Sequence, residues 1–322
     1  MIATRQDLGN ARRGGAAVDV VAVGSSSTAV LGDGWAAAAG RAVASGRFQI
    51  DVVVAADLWG VAVTADVGIQ AADGVWLDAV WHSPPGDHVL GAVVLAHGIS
   101  ADMDEGGMFR RLAEGMADEG FGALRFSFRG HGRSGGTQRG ATIAGEMLDL
   151  QAVIEHVAER FDDPLSIVAA SFGAVSTCMS LPYLAGSLRA LVLWNPVLDL
   201  QRTFIDPSLP WGVENFGQAQ QALLSSQGFL LIEETFAVGR VLFEEMRHYH
   251  PLDHFTRSLV PALVVHGDRD SAVSYDVACA AAHARGCDFH TVAGSDHGFD
   301  SREREDEAIA VTMSWLIHQH GS

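Results

Sequence analysis

The chain has 322 residues, of which 48% are hydrophobic and 19% are charged, so it is large and apolar enough to bury a full core. Its 39 acidic residues against 21 basic ones give a formal net charge of -18, which excludes a basic stripe for a nucleic-acid backbone. The same field disfavours anionic lipid surfaces, and no apolar run of about eighteen residues is present to span a membrane. We therefore expect a globular, enzyme-sized protein without a nucleic-acid or membrane partner, for which a neutral or uncharged substrate portion is the simpler expectation. The composition does not determine the oligomeric state.

Cysteine usage and the N-terminal residues bear on the compartment. The three cysteines show no CxxC spacing and no disulfide framework, which favours a reducing, cytoplasmic setting. Arg12 and Arg13 precede a moderately apolar run that resembles an export signal, but Asp19 and the serines at 25–27 interrupt it. We expect a cytoplasmic protein.

The chain divides into two parts by composition. Residues 1–67 are rich in Ala, Gly and Val and lack helical periodicity, so they are interpreted as an N-terminal extension. Two strands are possible there, at 48–54 and 59–64, although a disordered arm or a wrongly chosen start codon explains the composition equally well. Residues 68–320 form the predicted main domain.

Short apolar runs in the main domain predict strands of a mostly parallel sheet. Residues 75–81 alternate like a half-buried strand, and the later runs are continuously apolar, as expected of strands buried on both faces. These later runs lie at 92–96, 123–128, 165–170, 190–194 and 262–265, and a further strand is expected at 289–292. Helical spacing between them is clearest at Ile143, Met147, Leu150, Ile154 and Val157. Alternating strands and helices predict a doubly wound α/β fold.

One interval breaks this alternation. Residues 199–258 contain no buried-strand run but many aromatic and aliphatic residues, which predicts an inserted helical cap, with completion of the main core as the alternative. Phe204, Trp211 and Phe216 lie near prolines 207 and 210, so we expect them on a loop. Aromatic side chains on such a loop would line an apolar substrate pocket.

Reactive residue types follow the predicted strands. The carboxyl ends of parallel strands collect the functional loops of such sheets. The loops contain His97-Gly98-Ile99, Arg129-Gly130-His131-Gly132-Arg133-Ser134, Ala169-Ala170-Ser171-Phe172-Gly173, His266-Gly267-Asp268-Arg269-Asp270 and Asp296-His297-Gly298-Phe299. On these motifs, residues 68–320 resemble the α/β-hydrolase superfamily, within it the serine aminopeptidase-like and cinnamoyl or feruloyl esterase-like branch. The family pattern Gly-x-Ser-x-Gly has Ala169 at its first glycine here.

The resemblance implies a serine–histidine–acid triad. Serine needs a base whose pKa lies near the working pH, and His297 is the candidate for Ser171. Asp270 occupies the family's acid position, where it would orient His297, and Asp268 is the competing acid on the same loop. Asp296 is interpreted as capping or orienting its loop.

The resemblance also implies an oxyanion hole made by the backbone N–H groups of Ile99 and Phe172. No metal or organic cofactor is then required. The expected reaction is hydrolysis of a carboxylic ester through an acyl-enzyme, with peptide or amide cleavage, thioester hydrolysis and acyl transfer as alternatives on the same triad. From another class, a ligand-binding protein without catalytic activity is the alternative.

Two further motifs are given structural interpretations. Residues 129–134 lack the Lys-Ser/Thr ending of a phosphate-binding loop, so a tight turn is favoured. The histidines at 248, 250 and 254 flank Pro251, which prevents the helical spacing of a metal site, so no metal is expected.

Overall fold

A computed structural model describes residues 63–85, 89–161 and 164–321. The predicted strands at 48–54 and 59–64 lie outside the described residues, apart from Val63 and Thr64, which begin the first observed strand. That strand pairs with its neighbour from Val63 onward and buries Ile69 in the core. The boundary predicted at 67 therefore falls within a strand of the main sheet, because the extended pairing begins before the composition changes.

The sheet of the main domain has eight strands. They are β1 (Val63–Gln70), β2 (Trp76–Ser83), β3 (Gly91–Ala96), β4 (Phe121–Phe126), β5 (Leu165–Ala170), β6 (Leu188–Trp194), β9 (Ala262–Gly267) and β10 (Asp288–Val292). Their order across the sheet is β1-β2-β4-β3-β5-β6-β9-β10. Strand β2 pairs antiparallel with both neighbours, and all other pairings are parallel. The predicted mostly parallel sheet is confirmed.

The central strands are buried on both faces, as their continuous apolar runs predicted. In β3, Val93 and Leu95 pack into one apolar cluster, whereas Val94 and Ala96 pack into the cluster on the opposite face. Alternate side chains of a strand point to opposite faces, so one strand contributes to both core layers. Strand β4 ends at Phe126 instead of the predicted Phe128, because the N–H of Phe128 donates to the Nε2 of His97 (2.9 Å) and leaves the ladder.

Six helices cover the two faces of the sheet. They are α1 (Met108–Asp118), α2 (Ile143–Ala158), α3 (Gly173–Leu184), α7 (Pro251–Arg257), α8 (Tyr275–Arg285) and α9 (Arg302–His320). Helices α2, α3, α7 and α8 pack on one face, and α1 and α9 pack on the other. The periodic run predicted at 143–157 is α2. Its first turn is capped by the Thr142 hydroxyl, which accepts the N–H of Gly145 (2.9 Å).

The predicted cap lies in the segment between β6 and β9. It contains a π-helical turn (Gln201–Ile205), α4 (Pro210–Phe216), α5 (Gln218–Gln227), β7 (Phe229–Ile232), β8 (Phe236–Gly239) and α6 (Arg240–Glu245). The insertion is mostly helical, as predicted, but β7 and β8 pair antiparallel in a separate two-stranded sheet that the sequence pattern did not indicate. Its apolar residues form a third cluster together with Phe172 and Val175 of the main domain.

The end of the cap differs from the predicted position at 258. Helix α7 contributes Phe255, which is fully buried in the core layer beneath the sheet. The helix packs on α3 and α8 rather than on the cap. We therefore place the end of the insertion near residue 250. Within the described ranges, no helix has the length and apolar character needed to cross a membrane.

Candidate active site

Ser171 lies at the turn between β5 and α3, at the carboxyl edge of the sheet. Its φ of 49° is left-handed, which costs a residue other than glycine about 1–3 kcal/mol. Hydrogen bonds hold this turn: the N–H of Ser171 donates to the carbonyl of Trp194 (2.8 Å), and the Ser171 carbonyl accepts the N–H of Val197 (3.0 Å). The strained turn is thus attached to the end of the neighbouring strand β6.

The two small residues that flank Ser171 in the motif have different constraints. A Cβ on Gly173 would lie 2.5 Å from the carbonyl oxygens of Ala96 and His97, so the helix can approach β3 only with glycine here. Ala169 is instead a strand residue paired with Ala96, and its side chain packs in the core. This difference explains why the departure from the family pattern at Ala169 leaves the turn intact.

His297 lies between Ser171 and Asp270. It is in the loop after β10, and its Nε2 is 3.0 Å from the Oγ of Ser171. Its Nδ1 is 2.8 Å from the Oδ2 of Asp270. An ionised carboxylate only accepts hydrogen bonds, so Nδ1 carries the proton and Nε2 is free to accept the serine hydroxyl. The structure therefore brings together the three side chains that the sequence singled out, in the order serine, histidine, acid.

Asp270 is buried and accepts four hydrogen bonds. Its Oδ1 accepts the N–H groups of Ala272 (2.9 Å) and Val273 (2.7 Å), which fix the carboxylate to its own loop. Its Oδ2 is shared by His297 and His266, whose Nε2 lies 3.1 Å away. His266 belongs to a motif singled out in the sequence, but its spacing from Asp270 did not indicate this contact.

The neighbouring acids have other partners. Asp268, the competing acid, accepts the N–H of Gly294 and so ties its loop to the loop of His297. Asp296 accepts the N–H of His297 (2.7 Å) and two hydrogen bonds from Ser271. It orients its loop in the way the sequence predicted. The geometry thus favours Asp270 over Asp268 as the partner of the imidazole.

Electrostatics favour the ion pair at this site. Burial alone would raise the pKa of Asp270, but the His297 charge and the hydrogen bonds from His266 and His297 hold it well below the usual value. Burial alone would lower the pKa of His297, but Asp270, Glu105 and Asp296 together raise it above 6.5. These carboxylates therefore stabilise the protonated form of His297. A histidine that accepts a proton from a serine needs such stabilisation, because it becomes an imidazolium.

Ile99 and Phe172 are the two residues predicted to form the oxyanion hole. A Cβ on Gly98, which precedes Ile99, would be 3.2 Å from the Cβ of Ser171, so the His97-Gly98-Ile99 loop contacts the serine directly. Phe172 follows Ser171 and is the N-cap residue of α3. In the hydrogen bonds of the described residues, neither backbone N–H has an acceptor. An oxyanion hole formed by these two N–H groups stays a prediction.

Three side chains fix the loop that carries Ile99. The Nδ1 of His97 donates to the carbonyl of Gly98 (2.8 Å), since its Nε2 already accepts the N–H of Phe128. The Nε2 of His131 lies 2.7 Å from the carbonyl of Ile99. On the other side, the N–H of Gly98 donates to the Oε2 of Glu105 (2.7 Å). Glu105 was not predicted from the sequence, because an isolated glutamate seven residues after Gly98 gives no pattern.

The glycine-rich segment at 129–134 is a structural turn. The guanidinium of Arg129 forms ion pairs with Asp149 and Asp73, and that of Arg133 pairs with Asp78. Gly130 has a φ of 76°, and a Cβ there would be 2.6 Å from a backbone oxygen. The arginine charges are already neutralised within the protein, which agrees with the interpretation of this segment as a turn instead of a phosphate site.

The three predicted pocket residues lie on helices, so the prediction of a loop is wrong. Phe204 is in the π-helical turn, and Trp211 and Phe216 are in α4, because Pro210 occupies the first helical turn, where proline is favoured. Phe204 and Phe216 are completely enclosed, and Phe204 packs edge-on against Phe172 (5.7 Å between ring centroids). Trp211 is partly exposed and donates from Nε1 to Glu233 (2.8 Å). A role in substrate binding stays a prediction, with Trp211 the most accessible of the three.

A cavity of about 610 Å³ opens beside the loop that follows β3. It is lined by Ser100 and Ala101, which follow Ile99, by His131 of the glycine-rich turn and by Phe236 of β8. The rings of His131 and Phe236 stack with their centroids 4.6 Å apart. None of Ser171, His297 and Asp270 lines it. Within the described ranges, no group of three or more His, Cys, Asp or Glu side chains is arranged to hold a metal ion.

Comparison with known proteins supports the fold assignment. A family model described as serine aminopeptidase, S33, matches residues 87–228. Est1E from Butyrivibrio proteoclasticus, in a structure with ferulic acid bound, is 20% identical with a TM-score of 0.68, covering 80% of this chain and 100% of that one. A Pyrococcus furiosus esterase is 20% identical with a TM-score of 0.63, covering 79% and 91%. An esterase domain from a Rhodothermus marinus protein is 16% identical with a TM-score of 0.60, covering 80% and 98%. A search of curated proteins finds no match.

The chain therefore has the α/β-hydrolase fold. The predicted resemblance to the serine aminopeptidase-like and feruloyl esterase-like branch is confirmed by the family model and the similar structures.

Proposed function

We propose that this α/β-hydrolase is a serine hydrolase that cleaves a carboxylic ester through an acyl-enzyme. The observation that carries the proposal is the hydrogen-bonded chain from Ser171 through His297 to Asp270, with heavy-atom distances of 3.0 and 2.8 Å. Both distances lie within the range needed for proton transfer between a nucleophile and its base. Esterases among the similar structures favour an ester over other acyl substrates.

The first half of the reaction forms the acyl-enzyme. The Oγ of Ser171 attacks the ester carbonyl while its proton passes to the Nε2 of His297. Asp270 stabilises the resulting imidazolium through Nδ1. The oxygen of the tetrahedral intermediate accepts the N–H groups of Ile99 and Phe172. His297 then donates its proton to the leaving alcohol, and the ester C–O bond breaks.

The second half releases the acid. A water molecule gives a proton to His297 and attacks the acyl carbon, and Ser171 leaves with that proton. Amides, thioesters and acyl transfer to an acceptor other than water require the same groups, so a choice among them depends on the pocket. None of the residues in these steps needs a cofactor.

Labelling with a fluorophosphonate probe tests the proposal. Ser171 is expected to react, and Ser171→Ala is expected to lose labelling and to lose activity by several orders of magnitude. Ser100→Ala is the matched control, because Ser100 is an exposed serine on the adjacent loop and the His297 base is hydrogen-bonded to Ser171 instead. An unlabelled wild type, or Ser171→Ala with more than about a tenth of the activity, would refute the proposal.

A substrate panel separates the reaction types. We expect p-nitrophenyl esters to be cleaved faster than aminoacyl-nitroanilides and acyl-thioesters. A higher kcat/KM for either of the other classes would keep the triad mechanism and replace the ester assignment. Wild-type protein that binds esters but cleaves none would favour a ligand-binding protein.

A further inference from the structure

The two peptides that meet at Gly98 are each held by one side chain. The carbonyl of Gly98 accepts a hydrogen bond from Nδ1 of His97 (2.8 Å), which fixes this end of the peptide toward the His97 imidazole. In a trans peptide the N–H lies opposite the carbonyl, so the N–H of Ile99 is directed to the other side. The preceding N–H, that of Gly98, is bound by Oε2 of Glu105 at 2.7 Å. Glu105 therefore prevents the loop from rotating about Gly98.

Glu105 is also close to the reacting groups. The Cβ position of Gly98 would be 3.2 Å from the Cβ of Ser171 and 3.7 Å from both carboxyl oxygens of Glu105. The carboxylate thus lies just behind the loop that borders the serine. It also acts electrostatically on His297, whose protonated form it stabilises together with Asp270 and Asp296.

The backbone at Glu105 is strained. Its φ is 44°, and Gly106 (64°) and Gly107 (95°) continue in the left-handed region before α1 begins. A left-handed residue other than glycine costs about 1–3 kcal/mol, and such residues concentrate at functional sites. A glycine here would relieve the strain but would remove the carboxylate. The strained residue is thus the one whose side chain binds the N–H of Gly98, next to Ile99.

The pKa of the Glu105 carboxyl group lies near neutral pH. Burial raises the pKa of Glu105 to about 7, although the Gly98 N–H and the His297 charge act to lower it and Asp102 acts to raise it. Its titration is therefore coupled to that of His297, since the anionic carboxylate stabilises the imidazolium.

We propose that Glu105 is a positioning residue of this site: it holds the N–H of Gly98 and through it the adjoining Gly98–Ile99 peptide, so that the Ile99 N–H faces the oxyanion, and it supports the imidazolium of His297. This inference rests on the proposed function. It assigns Glu105 no proton transfer and no contact with the substrate.

Two variants separate the two effects. Glu105→Ala removes the acceptor for Gly98, so kcat is expected to fall about 10- to 100-fold with KM nearly unchanged, because the oxyanion contact forms in the transition state. Glu105→Gln keeps an acceptor oxygen but removes the charge. It is expected to shift the acidic limb of kcat/KM by roughly half a pH unit to lower pH, since the pKa of His297 falls without the carboxylate.

Glu114→Gln is the matched control, because Glu114 is an exposed carboxylate on the following helix, and it should leave both quantities unchanged. The rate of fluorophosphonate labelling against pH gives the same comparison without an ester substrate. If Glu105→Ala does not fold, the pH profile of Glu105→Gln decides alone.

If the acidic limb of kcat/KM in Glu105→Gln lies at the same pH as in the wild type, the inference is overturned. A Glu105→Ala protein that loses thermal stability but labels at the wild-type rate would also overturn it, since that result describes a purely structural side chain. Ser171→Ala distinguishes these failures from failure of the proposed function: if it keeps its activity, the proposed function falls, and if it is inactive, only the role of Glu105 falls.

Discussion

Asp296 binds Ser271 through both of its carboxylate oxygens. Oδ1 accepts the N–H of Ser271 at 2.7 Å, and Oδ2 accepts its hydroxyl at 3.1 Å. Ser271 follows Asp270, and Asp296 precedes His297, so this pair fixes the distance between two loops that enter the site from different strands. Hydrogen bonds to a charged group contribute about 1.5–3 kcal/mol each, so the two loops move together rather than independently.

The first prediction separates the two acids of the loop after β9. Asp270→Asn is expected to lower kcat by about 10⁴-fold, because an amide cannot hold His297 in the required tautomer. Asp268→Asn is the matched control and should lower kcat less than about tenfold, since the Asp268 carboxylate accepts a hydrogen bond from the backbone of Gly294 instead of from His297. Steady-state kinetics on one ester measure both. The opposite ranking would assign the role to Asp268.

The second prediction concerns pH. His297 must be neutral to accept the serine proton, and its pKa is raised above 6.5 by the surrounding carboxylates. The acidic limb of kcat/KM should therefore lie above pH 6.5, with activity lost as the pH falls through it. Asp270, whose pKa is held low, stays ionised throughout this range. A limb below pH 6 would contradict the assignment of His297 as the titrating base.

The third prediction concerns stability and Glu146 of α2. Burial raises the pKa of this carboxyl to about 8, and its Oε2 accepts the Ser176 hydroxyl at 2.6 Å. Between its ordinary pKa of 4.5 and about 8, the folded state holds a proton that the unfolded state has lost, so stability falls as the pH rises.

Glu146→Gln removes this dependence. Its Tm should exceed that of the wild type at pH 9 by more than at pH 5, as measured by thermal unfolding. Equal differences at the two pH values would mean that Glu146 ionises normally in the folded protein.

The fourth prediction concerns the serine turn. Gly173→Ala should lower the free energy of unfolding by about 2–4 kcal/mol, because the new methyl group would collide with two carbonyl oxygens of β3 and its loop. Gly186→Ala is the control, since a Cβ there has no neighbour within 4 Å. Denaturant unfolding compares them. Equal stability of the two variants would show that the turn can relax.

The fifth prediction concerns the cap. Trp211→Ala should change the ratio of kcat/KM between aryl or medium-chain esters and an acetate ester by roughly 1–3 kcal/mol, the value of a lost apolar contact. Hydrolysis of the acetate should be nearly unchanged. Val213→Ala, an exposed position of the same helix, serves as control. An equal loss of rate for every ester would instead assign Trp211 to the packing of the cap.

The sequence predicted the sheet well because its strands are buried on both faces. A continuous run such as 165–170 has no other stable location than the interior of a layered α/β protein, and the loops that follow such strands converge at one edge. The grouping of Ser171, His297 and Asp270 at that edge therefore follows from the order of strands and motifs along the chain.

Unusual local backbone geometry explains why other features could not be predicted from the sequence. The hairpin of β7 and β8 turns through Glu233 and Glu234, whose φ values of 49° and 59° are usually provided by glycine or asparagine, so no turn signal was visible. The left-handed backbone of Glu105 was equally invisible in the sequence, in addition to the lack of any pattern that links Glu105 to Gly98. Pro210 was interpreted as part of a loop, although proline is equally at home in the first turn of a helix.

The position of α7 has a consequence for engineering. Because Phe255 lies in the core beneath the sheet, a chimaera that transplants a foreign cap up to residue 258 would remove a core side chain together with the cap. Loss of a large buried aromatic typically costs about 3–5 kcal/mol, which a domain of ordinary stability can scarcely tolerate. Crossover points after β6 and before Pro251 would exchange the predicted cap and keep the core of the main domain intact.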